Sequence, residues 1–138
     1  MKITRRIKDN IAPIIVNGMS VATNSYLALY GKYLQDLVKA GNMTYNFSVG
    51  HLSDFTSAAA FSSLYLLADS FLKKPSFKLT PIGIATVWTI QEYTTKNVRD
   101  PWDVACYWAG ALTAYGINKI AHIKRNKKQA ENLEACLT

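Results

Sequence analysis

The charged residues of this chain leave four long stretches free of charge. Residues 11–31, 55–68, 79–91 and 104–118 contain no Asp, Glu, Lys or Arg, and the charges crowd between them. A helix that crosses a membrane needs about 20 mainly apolar residues. The first stretch reaches that length without charges, and the others reach it when charges lie at the helix ends, where they extend to water or pair. The pattern predicts an all-α protein, an integral membrane bundle of four transmembrane helices.

The chain of 138 residues is long enough for a single membrane domain, residues 1–138. The predicted spans cover about 11–34, 51–72, 79–95 and 102–120. An outer loop at 35–50 follows the first span, and a cytoplasmic tail at 121–138 follows the last. Gly110 and Ala114 in the fourth span are a pair of small residues four apart, which favours close helix packing.

The basic residues predict the orientation of these spans. Twelve of the 16 Lys and Arg lie in residues 1–8, 73–78 and 119–128, and four spans place these three blocks on one side. Cytoplasmic loops are enriched in Lys and Arg, so both chain ends are predicted inside. The mean hydropathy of zero also fits a soluble helical bundle, the competing fold. The alternation of charge favours the membrane, since a soluble bundle has no reason for it.

Ionisable residues gather at the predicted outer ends of the spans. His51 and Asp54 share one face of the second span, because they are three residues apart. Ionisable groups in membrane segments face the bundle interior and pair with one another. The predicted ligand-binding residues are His51, Asp54, Glu92, Arg99 and Asp103.

Residues 51–116 carry an ordered set of polar and small positions. The set has a His opening the second span, an acidic-polar pair late in the third, an Arg in the next turn, and an Asp with a Gly seven residues later: His51, Gln91-Glu92, Arg99, Asp103 and Gly110. In this order the chain resembles the VanZ-like family of small bacterial membrane proteins. The resemblance implies a protein of the bacterial cytoplasmic membrane, associated with the cell envelope or with antibiotic resistance.

Two interpretations of the polar residues stay open. In the first, they bind the head group of a lipid-linked envelope precursor or a glycopeptide. Arg99 would then donate a forked pair of hydrogen bonds to phosphate or carboxylate, and His51 could act as a general base. In the second, the same residues form an ion-pair network that holds the last three spans together, which is the simpler interpretation.

Two other functions compete with an envelope protein. The chain could be a non-catalytic accessory subunit of a larger membrane complex, or a membrane enzyme that acts on lipid head groups. No catalytic residue, cofactor or metal site is predicted. Nucleophile motifs and Gly-rich phosphate loops are absent, and His51 and His122 fall on opposite sides of the predicted membrane. The predicted partners are membrane lipids and other membrane subunits, not nucleic acid, because the short basic tail fits anionic inner-leaflet lipid better.

Overall fold

The chain folds into α-helices over the parts that a computed structural model describes. These parts are residues 7–8, 10–71, 80–95 and 100–137, with all their side chains except those at positions 80, 124–125, 128–129, 133 and 136–137. The four long helices are α1 (Ile11–Lys39), α2 (Phe47–Asp69), α3 (Thr80–Thr95) and α4 (Pro101–Leu137). No strand occurs among these residues, and the predicted all-α class is confirmed.

The connection between α1 and α2 is shorter than the predicted outer loop. Residues 35–39 and 47–50 are helical, so the connection covers only 40–46. At the end of α1, Gly41 adopts a φ of 75° and its N–H bonds to the carbonyl of Val38, while the N–H of Asn42 bonds to the carbonyl of Leu37. This pair of bonds is a Schellman motif, which needs a left-handed residue after the helix. At the start of α2, the side chain of Asn46 accepts a hydrogen bond from the N–H of Val49 at 2.9 Å and caps the helix.

The last helix includes the predicted tail. Its start is set by Asp100, whose Oδ1 accepts a hydrogen bond from the N–H of Trp102 at 2.9 Å, and by Pro101, which suits the first helical position. From there α4 runs to Leu137, so residues 121–137 are helical. This segment holds no Gly or Pro and is rich in Lys, Ala, Glu and Leu, which favour helix. The predicted boundaries at 72 and 79 lie outside the described residues.

Helix α2 lies at the centre of the bundle and packs against α1, α4 and α3, while α3 packs mainly against α4. Two glycines allow the closest approaches. A Cβ at Gly31 of α1 would lie 2.9 Å from the backbone nitrogen of Ser53, and one at Gly110 of α4 would overlap the carbonyl oxygen of Phe55. Small residues at helix contacts let backbones approach in this way, as the sequence predicted for Gly110.

The interior of the bundle is made of small and polar residues. Ala58, Ala59, Ala85, Ala111 and Ala114 are at most 1% exposed. The largest side chains that are fully buried include Asn17, Thr56, Ser62 and Ser63, together with two prolines. Polar pairs join the helices: Nδ2 of Asn17 donates to Oδ1 of Asn118 at 2.7 Å, and the hydroxyls of Ser20 and Ser63 lie 2.7 Å apart.

Apolar side chains, most of them large, lie on the outside. On α1 they form a stripe that repeats every three or four residues, and all of its members are exposed: Ile11, Ile15, Met19, Ala22, Tyr26, Leu29 and Tyr33. This outer stripe is about 33 Å long at 1.5 Å per residue. The other helices expose apolar residues too, among them Phe61, Leu64, Val87, Ile90, Leu112 and Ile120.

None of the described helices combines the length and the apolar composition of a typical membrane span. The predicted integral membrane character therefore stays a prediction, while the helical bundle itself is observed.

Candidate functional site

His51 lies in the first turn and a half of α2, where the Asn46 cap fixes the start of the helix. The residue is only 6% exposed. Its Nδ1 lies 2.8 Å from Oδ1 of Asp103, and the ring of Phe47 packs against it with the centroids 4.5 Å apart. An ionised carboxylate only accepts hydrogen bonds, so Nδ1 carries the hydrogen in this pair. The imidazole is therefore held on one side by a carboxylate and on another by an aromatic ring.

The carboxylates around His51 come from the start of α4. Asp100 caps this helix and Asp103 lies in its first turn, where the helix dipole favours negative charge. Oδ2 of Asp100 is 4.0 Å from Nε2 of His51, so the two ring nitrogens face two different carboxylates. The start of α4 thus places two acids, Asp100 and Asp103, beside His51.

Asp54 completes a cluster of three residues, which we call the His–Asp cluster: His51, Asp54 and Asp103. One ligand atom from each of these residues lies within 4.8 Å of the others. Asp54 is one helical turn after His51 and so points to the same side of α2. Helical spacing in the sequence already predicted that His51 and Asp54 share one face of α2. The packing of α2 against α4 brings Asp103 next to them.

A cleft of about 340 Å³ opens beside the His–Asp cluster, which contributes all three of its residues to the lining. Asp100, Lys39 and Gln35 also line this cleft, and Nε2 of Gln35 donates to the carbonyl of Gly50 at 2.6 Å. That bond ties the end of α1 to the start of α2. The cleft is therefore formed by the ends of α1, α2 and α4 at one end of the bundle.

Glu92 lies in a second cavity on the other side of Asp54. It is 3% exposed, and its Oε2 accepts a hydrogen bond from the Tyr107 hydroxyl at 3.2 Å. The ring of Trp88 meets that of Tyr107 edge-on, with the centroids 5.2 Å apart. This cavity of about 250 Å³ is lined by Asp54, Ser57, Trp88, Gln91, Glu92 and Tyr107. Asp54 is thus common to both cavities.

The structure unites most of the residues that the sequence singled out. His51, Asp54 and Asp103 form the cluster, and Glu92 lies in the adjoining cavity. Arg99 lies outside the described residues, so its predicted pairing with Glu92 or Asp103 is not placed. The role of all five predicted residues in binding a ligand stays a prediction.

Several residues that line the two cavities were not predicted as site residues, among them Asp100, Trp88 and Tyr107. The signal for Asp100 was available in the sequence, because an Asp before a Pro favours a helix N-cap, here next to Asp103. Trp88 and Tyr107 carry no sequence signal for a cavity, because an aromatic residue in a helix can pack in a core or lie at a membrane interface.

The charge of the lining favours positively charged ligands. Among the described residues that line the two cavities, Asp54, Glu92, Asp100 and Asp103 are acidic and Lys39 is the basic one. An imidazole beside carboxylates can accept or deliver a proton, and the same set of atoms can hold a cation. No metal site was predicted from the sequence, because only the positions of the two histidines relative to each other were considered. The neighbours that matter for His51 are the carboxylates.

The fold and the site together define the class of this protein as an all-α bundle with a His–Asp cluster at one end. No family model, curated protein or solved structure matches the chain.

Proposed function

We propose that this chain is a membrane-embedded helical protein whose polar end, around the His–Asp cluster, binds the head group of a lipid-linked envelope precursor or a glycopeptide. The observation that carries the proposal is the inverted distribution of side chains. Small and polar residues fill the interior, whereas Met19, Tyr26 and Leu29 are 66–70% exposed. In water such a surface would be unfavourable, and in hydrocarbon it is the expected one.

The outer stripe on α1 matches the thickness of a bilayer. Its length of about 33 Å compares with about 30 Å for the hydrocarbon layer. The polar residues of the same helix, such as Asn17 and Ser20, bond to α4 and α2 in the interior. They lower the average hydropathy of the helix without placing polar groups on the outer stripe.

The acids beside His51 and two lysines of α4 lie at different heights along the bundle, in support of the proposed orientation. The acidic residues around His51 lie at the start of α4, and Lys119 and Lys127 follow about 24–36 Å further along the same helix. Both lysines are exposed. Cationic residues favour the cytoplasmic side, which leaves the His–Asp cluster at the outer side.

A matched pair of substitutions tests the membrane part. Met19→Lys puts a charge in the middle of the outer stripe, at a cost of about 2.5–3.5 kcal/mol on insertion scales, whereas Met43→Lys puts the same charge in the connection between α1 and α2. We expect Met19→Lys to reduce the fraction of chain that resists alkaline carbonate extraction from membranes, and Met43→Lys to leave it unchanged. A wild-type chain that stays in solution as a compact monomer without detergent would refute the proposal.

The binding part is tested against the structural network that could account for the same residues. Asp54→Asn and Glu92→Gln are followed for protein abundance and for susceptibility of the host cells to a glycopeptide antibiotic. Normal abundance with a changed susceptibility supports a binding site. Loss of abundance in both variants supports an ion-pair network that holds the helices together.

A second candidate, an accessory subunit of a membrane complex, is favoured by one observation. Gly18, Gly83 and Gly116 have no atom within 4 Å of the place where a Cβ would be, so they leave room on the bundle surface for the helix of another chain. Purification in mild detergent distinguishes the two proposed functions. An accessory subunit co-migrates with other chains, and a lone envelope protein does not.

A further inference from the structure

We infer that the His–Asp cluster binds a divalent transition-metal ion such as Zn²⁺, held by His51, Asp54 and Asp103. The proposed ion lies at the same end of the bundle as the site of the proposed function. Only the role of the ion rests on that function: the ion would link the acidic cluster to an anionic head group. Imidazole with carboxylates is a ligand set that suits Zn²⁺ and its first-row neighbours.

The distances allow one ion to reach all three residues. Zn²⁺ binds nitrogen and oxygen at about 2.0–2.2 Å, so two ligand atoms on a tetrahedral ion lie about 3.4 Å apart. In the cluster the three ligand atoms lie within 4.8 Å of one another, with Nδ1 of His51 and Oδ1 of Asp103 at 2.8 Å. An ion would therefore require the His51–Asp103 pair to open slightly and Asp54 to stay within the same short range.

The position of His51 is that of a fixed ligand. Its side chain is 7% exposed, and Phe47 packs on the ring. When an ion replaces the hydrogen on Nδ1, the neutral imidazole carries its hydrogen on Nε2 instead, the nitrogen that faces Oδ2 of Asp100 at 4.0 Å. A ligating His usually donates its second ring N–H to a carboxylate, a backbone carbonyl or water, and Asp100 is the carboxylate nearest to that nitrogen, although 4.0 Å is longer than a hydrogen bond.

The cleft supplies the open side of the proposed metal site. The cluster contributes three ligand atoms, and the cleft of about 340 Å³ lined by the same residues leaves room for water or an exogenous oxygen to complete the coordination. A site with three protein ligands and an open position is the kind that holds a substrate oxygen. An ion in this position would attract a phosphate or carboxylate group to an end of the bundle whose described lining is mainly acidic.

The test is calorimetric titration of the full-length purified chain, in detergent micelles, with Zn²⁺. The primary variant is Asp54→Asn, because Asp54 is less buried than His51 and its amide keeps the size of the side chain. His122→Gln is the matched control, since it removes the other histidine about 28 Å further along α4 than Asp103. Circular dichroism shows that each variant keeps its helices.

We expect the wild-type chain and His122→Gln to bind one equivalent of Zn²⁺ with the same affinity, and Asp54→Asn to bind at least about tenfold more weakly. Zn²⁺ should also raise the Tm of the wild-type chain, and Mg²⁺ should not, because it prefers an all-oxygen octahedron. The inference is overturned if the folded wild-type chain binds no Zn²⁺, if Asp54→Asn binds it equally well, or if His122→Gln weakens it.

These outcomes are separate from those of the proposed function. A chain that binds Zn²⁺ but dissolves in water without detergent keeps the metal site and loses the membrane proposal. A chain that resists carbonate extraction but ignores Zn²⁺ keeps the membrane proposal and loses the metal site.

Discussion

At the scale of single residues, His51 and Gly110 account for much of how α2 and α4 meet. His51 contacts Asp103 at one end of this interface, and Gly110 brings the two backbones together two turns further along α4. One contact is polar and directional, and the other depends only on the absence of a side chain. Each therefore responds to substitution in its own way.

Loss of the carboxylate partner of His51 should lower stability. Asp103→Asn removes a charged acceptor from a histidine whose side chain is 7% exposed. Because hydrogen bonds to charged groups contribute about 1.5–3 kcal/mol, we expect a loss of this order in the free energy of unfolding. Asp36→Asn, at an exposed ion pair with Lys39, should change it by less than about 0.5 kcal/mol. Thermal or denaturant unfolding in detergent measures both, and equal effects would contradict the assignment.

A methyl group at Gly110 should separate α2 from α4. Gly110→Ala places a Cβ against the carbonyl oxygen of Phe55, whereas Gly116→Ala in the same helix meets nothing within 4 Å. Both changes gain the same helix propensity of about 1 kcal/mol, so their difference isolates the packing cost. We expect Gly110→Ala to be less stable than Gly116→Ala by about 1–3 kcal/mol. Equal unfolding midpoints for the two variants would show that the helices do not approach as closely as described.

At the scale of helices, the sequence predicted which segments are helical better than where they end. The uncharged stretches found all four helices, because their pattern is long and regular. The outer loop was predicted too long, since its loop-forming residues, among them Gly41, Asn42 and Gly50, did not show that residues 35–39 and 47–50 are helical. Helix ends depend on capping bonds, and both Asn46 and Gly41 fell inside the predicted loop without being recognised as caps.

The cap at Asn46 should determine how firmly α2 begins just before His51. Asn46→Ala removes the acceptor for the N–H of Val49, with an expected loss of about 1 kcal/mol in the free energy of unfolding. Asn46→Ser keeps a capping oxygen and should restore most of it. Hydrogen exchange at the amides of the first turn of α2 measures the effect locally. Equal protection in the Ala and Ser variants would contradict the cap.

The contacts between helices could be predicted only in part. His51 and Asp54 follow from helical spacing, and small residues at Gly110 suggested a close contact. The pairing of Asn17 with Asn118 links residues 101 positions apart, and a single sequence holds no signal for it. The same holds for Tyr107 and Glu92, because which faces of α3 and α4 meet is decided by the packing of all four helices together.

At the scale of the whole molecule, the interior of the bundle is small and polar and its outside is largely apolar, with Asp100 and Asp103 at the start of α4 and the exposed Lys119 and Lys127 further along it. The proposed placement in a bilayer would explain these features together. In the proposed placement, polar pairs such as Asn17 with Asn118 would lie between the helices, and the outer stripe on α1 would face the acyl chains. The proposed topology therefore makes a specific prediction about which positions are accessible from outside the cell.

Cysteine accessibility in intact cells tests this claim most directly. Single cysteines at Asn42, in the connection between α1 and α2, and at Ala130, near the end of α4, are introduced after both native cysteines are replaced by Ser. A thiol reagent that does not cross membranes should label position 42 in intact cells, and position 130 only after the cells are permeabilised. Labelling of both positions in intact cells, or protection of position 42, would contradict a chain that crosses the membrane with the His–Asp cluster outside.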